Sequence, residues 1–453
     1  MADTIAAIAT GKAPCAIGIL RLSGDGCAEI AGRVVQPVCG RPLSQCENRK
    51  LTLSRLYDRD GRLIDEVLAV YTRAPHTYTG EDTVELQCHG SPAALAAGLE
   101  ALLCAGARQA GPGEFTKRAF LNGQMDLTQA EAVIDLIDAE TADAAANAAG
   151  QIGGALRRRL DPIYAQLTDI CSHFHAVLDY PDEDIEEIQL TQWQAVLEDA
   201  RHSLAELLAT CGRGQILKKG VRTAIVGRPN AGKSSLLNAL AGYERVIVTE
   251  IAGTTRDTVE ESVLLGGVLL RLTDTAGIHE TSDRIEALGV ARSLAAVREA
   301  DLALFVCDGS VPLNEEDLRA MEAAKTARRV LAIVNKTDRP QVVQPTALPF
   351  PEVISLSAAT GEGIDRLRDT VSRLFADSTP CDGSILTNAR QAGAAERAQQ
   401  SLAAALTSLR SGMTPDAVLV DVEEAMQALG ELTGRVVRED ITSRIFERFC
   451  VGK

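Results

Sequence analysis

Val221-Arg222-Thr223-Ala224-Ile225-Val226-Gly227-Arg228-Pro229-Asn230-Ala231-Gly232-Lys233-Ser234-Ser235-Leu236-Leu237-Asn238-Ala239-Leu240 is the stretch that decides the fold. A short apolar strand runs into G-x-x-x-x-G-K-S, and residues of helical character follow from Ser235. Strand, glycine-bounded loop and helix in that order are the context of a phosphate-binding P-loop. The glycines let main-chain N–H groups wrap phosphate oxygens, and the helix start adds its positive dipole end. Asn230, Ala231, Gly232, Lys233, Ser234 and Ser235 are the expected phosphate-binding set. Lys233 is expected on the β- and γ-phosphates and the Ser234 hydroxyl on magnesium.

Further elements follow in order. Val268-Leu269-Leu270-Arg271-Leu272-Thr273 reads as a strand delivering Asp274-Thr275-Ala276-Gly277. Asp274 is placed to hold magnesium through water, and the Gly277 N–H to approach the γ-phosphate. Val330-Leu331-Ala332-Ile333-Val334 is an apolar strand ending in Asn335-Lys336-Thr337-Asp338. A carboxylate at Asp338 can accept from guanine N1–H and the exocyclic amino group. Adenine offers no such pair and leaves the acceptor unsatisfied. Ser357-Ala358-Ala359 stands where a backbone N–H meets guanine O6. Between P-loop and Asp274 lies Thr249-Glu250-Ile251-Ala252-Gly253-Thr254-Thr255, in which Thr254 and Thr255 both qualify to complete a magnesium shell. Ile278 takes the place where Ras-like enzymes keep a water-orienting glutamine. Hydrolysis then needs another residue, an ion or a partner, and a slow nucleotide-dependent switch is a second reading.

At 453 residues, 46% of them apolar, the chain is long enough for about three domains. Its net charge of −16 argues against indiscriminate binding to nucleic-acid phosphates. Eleven cysteines are scattered with no close C-x-x-C pair, so neither a zinc knuckle nor a thioredoxin-like site is suggested. No apolar run is long enough for a bilayer, and Pro14 and glycines break the start, so a cytoplasmic location is expected.

Strand-like segments Ala16–Leu22, Leu63–Tyr71 and Thr83–Cys88, with a helix over 91–105, make residues 1–120 a mixed α+β domain. Apolar residues at helical spacing then fill Gln129–Asp138, Glu140–Ala149, Leu156–Asp179 and Trp193–Leu208, with a break at Pro181-Asp182-Glu183-Asp184. The same pattern returns over Arg397–Leu409 and Thr414–Thr433. The expected architecture is multidomain, α/β plus α. A helical domain split into 121–217 and 378–453 receives a doubly wound G domain over 218–377.

Taken together these features resemble the MnmE (TrmE) family of tRNA modification GTPases over the whole chain. The resemblance is carried by Gly18-Ile19-Leu20-Arg21-Leu22-Ser23-Gly24, Thr79-Gly80-Glu81-Asp82, Glu85-Leu86-Gln87 and Pro112-Gly113-Glu114-Phe115-Thr116-Lys117-Arg118-Ala119-Phe120-Leu121-Asn122. The inserted G domain and the end Phe449-Cys450-Val451-Gly452-Lys453 complete it. It implies a homodimer working with a flavin-dependent MnmG-like partner, in a heterotetramer or larger assembly. FAD enters only through that partner, and C5 of the wobble uridine of certain tRNAs receives a carboxymethylaminomethyl- or aminomethyl-type group. It implies a 5-formyltetrahydrofolate-type cofactor on the N-terminal, dimerising domain, with Arg21, Glu85 and Lys453 matching its pocket. Gln124 stands where the family often has lysine.

The resemblance also bears on Ile278. The family's G domains pair around potassium, whose ligands match Asn230, Thr249, Ile251 (by its backbone) and Thr254, leaving Thr255 for magnesium. The water-orienting role falls on Glu286, and Cys450 matches a C-terminal cysteine tied to the modification chemistry. A ribosome-assembly GTPase of the Era or Der type is the alternative. Those carry an appended RNA-binding or second G domain, whereas this chain has one G domain among helices and no KH-type G-x-x-G near its end.

Overall fold

The computed structural model describes residues 3–11, 13–179, 187–243, 261–273, 296–375, 380–436, 445–446 and 449–452. The first elements are β1 (Ile5–Ile8), β2 (Cys15–Ser23), α1 (Cys27–Gly32), β3 (Val35–Pro37), β4 (Thr52–Tyr57), β5 (Leu63–Thr72), β6 (Thr83–Gly90), α2 (Pro92–Cys104), β7 (Arg108–Gln109) and α3 (Glu114–Leu121). Five helices follow: α4 (Leu127–Ile137), α5 (Ala142–Ile152), α6 (Ala155–Asp179), α7 (Glu187–Ala209) and α8 (Cys211–Lys219). Next come β8 (Val221–Val226), α9 (Lys233–Tyr243), β9 (Glu261–Leu265), β10 (Val268–Thr273), β11 (Leu302–Asp308), α10 (Glu315–Ala324), β12 (Val330–Asn335), β13 (Val353–Ser355) and α11 (Ile364–Phe375). Helices α12 (Ala389–Arg410) and α13 (Pro415–Thr433) close the series.

The chain forms two compact units. One gathers Met1–Ile134, Ile152–Leu197 and Gln400–Lys453; the other gathers Asp135–Gln151 and Glu198–Gln399.

In the first unit a seven-stranded sheet runs β3-β4-β5-β6-β2-β1-β7. Its pairs are antiparallel except β1 with β7. The alternation in Thr83–Cys88 survives as β6, where Val84, Leu86 and Cys88 are buried and Glu85 and Gln87 are half-buried. Helix α2 starts on a Ser91 cap with Pro92 at its first position, which suits a residue without an N–H. It buries Leu95, Ala101 and Leu102 against Leu20, Leu56 and Leu86 of the sheet. Helices α6 and α13 pack along one another, with Cys171 Sγ 3.4 Å from Met426 Sδ.

The second unit holds a six-stranded sheet in the order β13-β12-β11-β8-β10-β9. Only β9 pairs antiparallel; the other neighbours are parallel. Strand β11 is buried along its whole length and β12 along nearly all of it, as a sheet covered on both faces requires. Each fully buried leucine or isoleucine there contributes about 1.5–3 kcal/mol. The chain enters the sheet at β8 and turns to β10 on one side and β11 on the other. The carboxyl end of β8 is therefore a switch point, where open α/β sheets bind ligands.

Residues 135–151 join this unit through polar contacts. Lys218 Nζ lies 2.6 Å from Asp135 and Arg271 Nη2 lies 2.5 Å from Glu140. Asn147 donates to the Ile385 carbonyl and accepts from the Gly383 N–H. The break expected at Pro181–Asp184 lies outside the described residues. No helix among the described residues is long and apolar enough to cross a membrane.

Close packing of α8 supplies a stability test. A Cβ on Gly214 would sit 1.7 Å from the Leu386 carbonyl oxygen, whereas one on Gly212 meets nothing within 4 Å. Gly214→Ala is expected to destabilise by about 1–3 kcal/mol or more. Gly212→Ala is expected to be neutral or to stabilise by up to about 1 kcal/mol. Urea-unfolding midpoints of the two variants check both signs.

Candidate functional site

The P-loop turns between β8 and α9 through left-handed residues. Asn230 has φ 63° and Gly232 φ 100°. A Cβ on Gly232 would stand 2.1 Å from Asn335 Nδ2, so a side chain there is excluded by both backbone and space. Lys233 opens α9, and its Nζ donates to the carbonyls of Gly227 and Arg228 at 2.7 and 2.8 Å. Those carbonyls cancel no charge. Among the described residues no carboxylate is paired with Lys233; Asp308 pairs with Lys336, and Asp317 with Arg228. Burial holds the Lys233 ammonium below its usual pKa, a cost that an arriving phosphate oxygen offsets. Ser234 and Ser235 are exposed at the helix start. The cradle fits a phosphate chain, with an ammonium that no described carboxylate pairs with and a glycine-bounded main chain at a helix N-terminus.

The end of β12 is tied directly to that loop. Asn335 is buried, and its Nδ2 donates to the Ala231 carbonyl at 3.0 Å. Its Oδ1 accepts from the N–H of Lys336 at 2.8 Å and of Ala358 at 3.0 Å. One amide thus joins the phosphate loop, the Asn335–Asp338 turn and the Ser357–Ala359 turn. Lys336 Nζ donates to the Asn230 carbonyl at 2.9 Å and to Asp308 at 2.6 Å. The Ser357 hydroxyl donates to Asp338 Oδ1 at 2.6 Å and holds that carboxyl below its usual pKa. Asp338 is therefore an exposed, ionised acceptor at the mouth of the turn, beside the buried backbone of Ala358. Thr337 N–H donates to the Leu356 carbonyl at 3.3 Å, and Ala359 is exposed.

Asp308, Arg228 and Asp317 were not singled out from the sequence. Asp308 ends β11 directly opposite Asn335 in register. Burial works to raise its pKa, but bonds from Lys336 and from the hydroxyl and N–H of Ser310 outweigh burial and hold it at about 2. Arg228 reaches both Asp308 (3.9 Å) and Asp317 (3.3 Å). The available signal was an aspartate ending an apolar strand beside Gly309-Ser310, a pattern too short to weigh alone.

Thr249, Glu250, Ile251, Ala252, Gly253, Thr254, Thr255, Asp274, Thr275, Ala276, Gly277, Glu286 and Lys453 lie outside the described residues. Strand β10 leads directly to Asp274 and is fixed beside β8 with Thr273 opposite Ala224.

In the first unit, Arg21 and Glu85 face each other across β2 and β6, with Nε and Oε1 2.8 Å apart. The Arg21 guanidinium lies 5.7 Å from the ring centres of both Tyr78 and Phe115. Gln124 lies beside the Thr79–Asp82 turn, since a Cβ on Gly80 would be 3.0 Å from its Nε2. Arg118 binds Glu81, Glu114 and Asp3, while Ser23 bonds Thr79 and Glu81. The chain end returns to this region. Val451 bridges Pro112, Cys450 is exposed, and a Cβ on Gly452 would be 2.2 Å from the Ile8 carbonyl oxygen. Arg21 and the chain end therefore border opposite ends of one short segment, Pro112–Phe115.

Fold and loops together define a class: a P-loop G domain whose Asn335–Asp338 turn is bonded to its phosphate loop. Similarity to known proteins narrows the class. The family described as MnmE helical domain matches residues 127–450, and that described as GTP-binding protein TrmE N-terminus matches residues 4–124. The chain is 44% identical over 464 residues to the tRNA modification GTPase MnmE of Roseiflexus sp. (strain RS-1), covering 100% of this chain and 99% of that one. It is 44% identical to the MnmE of Chloroflexus aurantiacus, with 100% of each chain covered. With the MnmE of Streptococcus thermophilus it shares 41%, covering 100% of this chain and 98% of that one. The chain belongs to the MnmE (TrmE) family of tRNA modification GTPases. Relatives matched from end to end do not favour the ribosome-assembly alternative.

Asn335→Ala would strip three main-chain groups, two of them buried, of their partner. The expected result is a loss of about 2 kcal/mol or more in stability, together with weakened guanine-nucleotide binding. Denaturation and fluorescent-GDP titration measure the two.

Proposed function

We propose that this chain is a GTP hydrolase acting in tRNA modification. The observation that carries the proposal is the Asn335 amide, which joins the guanine-reading turn to the P-loop. End-to-end similarity to the MnmE relatives supports the tRNA part of the reading.

In this reading the P-loop amides, the start of α9 and Lys233 bind the triphosphate, and Asp338 accepts from the guanine N1–H and amino group. Ala358 and its neighbours offer backbone N–H to guanine O6. Ser234, Thr255 and Asp274 hold magnesium, while Asn230, Thr249, Ile251 and Thr254 hold potassium. When bound, these cations neutralise charge developing on the phosphoryl oxygens. Water held by Glu286 attacks the γ-phosphorus in line, the bond to the β-bridging oxygen breaks, and GDP and phosphate leave. Ile278 cannot orient that water, and the role falls to Glu286 instead.

The finer reading extends to the rest of the chain. Arg21, Glu85, Gln124 and Lys453 hold a 5-formyltetrahydrofolate-type cofactor. The paired charges of Arg21 and Glu85, with the rings of Tyr78 and Phe115 beside them, suit a planar, polar heterocycle carrying carboxylates. The division into an N-terminal domain (1–120), a split helical domain (121–217 and 378–453) and a G domain (218–377) follows that assignment of tasks. The chain works as a cytoplasmic homodimer with an MnmG-like flavoprotein. Together they add the C5 group to wobble uridine, and Cys450 serves that chemistry.

Two measurements test this reading. GTP turnover in potassium buffer should exceed that in sodium buffer at least about tenfold, because in this reading the cation cage takes the place of an arginine finger. Equal rates would remove the potassium role. Mass analysis of tRNA nucleosides from cells lacking the gene should show unmodified wobble uridine; unchanged nucleosides would sink the tRNA assignment. The guanine reader has its own check. Asp338→Asn exchanges an acceptor for a donor amide, so GTP binding should fall by about a hundredfold or more while xanthosine triphosphate binding improves.

A further inference from the structure

The structure assigns Asp308 as a positioning residue for guanine-nucleotide binding: its carboxylate fixes Lys336 against the Asn230 carbonyl and so locks the guanine-reading turn to the phosphate loop. This rests on the GTP-hydrolase reading above.

The geometry is specific. Asp308 closes β11 in register with Asn335, the residue before Lys336. Its Oδ1 is fixed by the N–H and hydroxyl of Ser310 at 3.0 and 2.6 Å, leaving Oδ2 aimed at Lys336 Nζ, 2.6 Å away. Lys336 is itself left-handed, with φ 67°, and its ammonium also donates to the Asn230 carbonyl at 2.9 Å. Asn230 is the second left-handed residue of this contact, and its side chain is the proposed potassium ligand in the P-loop. Arg228, two residues earlier, lies 3.9 Å from the same Oδ2 and 3.3 Å from Asp317. Asp317 in turn caps α10, accepting from the Asn314 N–H at 3.1 Å. The variable part of the phosphate loop is thus gripped twice from one carboxylate, through the Arg228 side chain and the Asn230 carbonyl. Without that carboxylate, Arg228 keeps only Asp317 among the described partners, and Lys336 loses the charge that keeps it on Asn230.

A charge pair of this kind could serve folding alone, and the test separates the two roles. Wild type, Asp308→Asn, Lys336→Met and the double variant are compared in full-length protein. The measurements are KM for GTP, kcat at saturating GTP and potassium, half-saturating potassium, and the nucleotide-free melting midpoint. For Asp308→Asn we expect KM for GTP to rise about tenfold, as for a lost charge-assisted contact. Half-saturating potassium should rise with it, while kcat at saturation stays within about threefold. The double variant should be no worse than Lys336→Met alone, because both changes break one linkage. Wild-type KM in Asp308→Asn, additive losses in the double variant, or a lower melting midpoint with unchanged KM would each overturn the assignment. Should Asp308→Asn not fold, Ser310→Ala removes one of the bonds that aim Asp308. A rise in KM of about two- to fivefold then supports the assignment, and an unchanged KM overturns it. A wild type that fails to bind GTP would instead bring down the functional reading itself.

Discussion

The side-chain amide of Asn335 is the contact on which the nucleotide site depends. It is buried at the end of β12 and uses a donor toward Ala231 and an acceptor toward two N–H groups. In a covered sheet those main-chain groups have no water to turn to, so their partner must come from the fold. Gly232 is constrained by the same amide, since a side chain there would occupy the space of Asn335 Nδ2. The Asn335–Asp338 turn and the phosphate loop are therefore one rigid arrangement, because the two loops cannot move independently without breaking these bonds.

Around that amide the charges are sorted by partner. Lys336 and Arg228 are paired in charge with Asp308 and Asp317, whereas among the described residues Lys233 is held by carbonyl oxygens. Asp338 is held by the Ser357 hydroxyl and remains ionised and exposed. In the proposed reading these two groups meet the ligand, Lys233 as a cation for phosphate and Asp338, with Arg339 4.0 Å away, as an anion for base N–H donors. Pre-organising both before binding reduces the ordering cost of recognition.

A similar logic shapes the first unit. The Thr79–Asp82 turn and α3 are joined by the Arg118–Glu81 pair, and Ser23 bonds the same turn. The chain end closes on Pro112 and on the Ile8 carbonyl. Gly452 is required there because main chain approaches main chain with no room for a Cβ. The Arg21–Glu85 pair, the aromatic pair beside it and the chain terminus are all referred to the short segment Pro112–Phe115.

The residues alone determined the elements and their chemistry. Loop spacing between strand and helix marked the P-loop, and unbroken apolar runs marked β11's neighbour β12. Helical spacing marked α6, which spans Ala155–Asp179 even with Pro162 inside it. These signals are local: they depend on period, glycine and proline placement, and side-chain type within a few residues. What only the tertiary structure decided is which distant groups share a bond. Asp308 opposite Asn335, Arg228 against Asp317, residues 135–151 joined to the G-domain sheet, and Val451 beside Pro112 are pairings between segments far apart in sequence. An isolated aspartate or glycine carries no signal of its partner, because its role is set by the packing of the strands and helices that bring the two together.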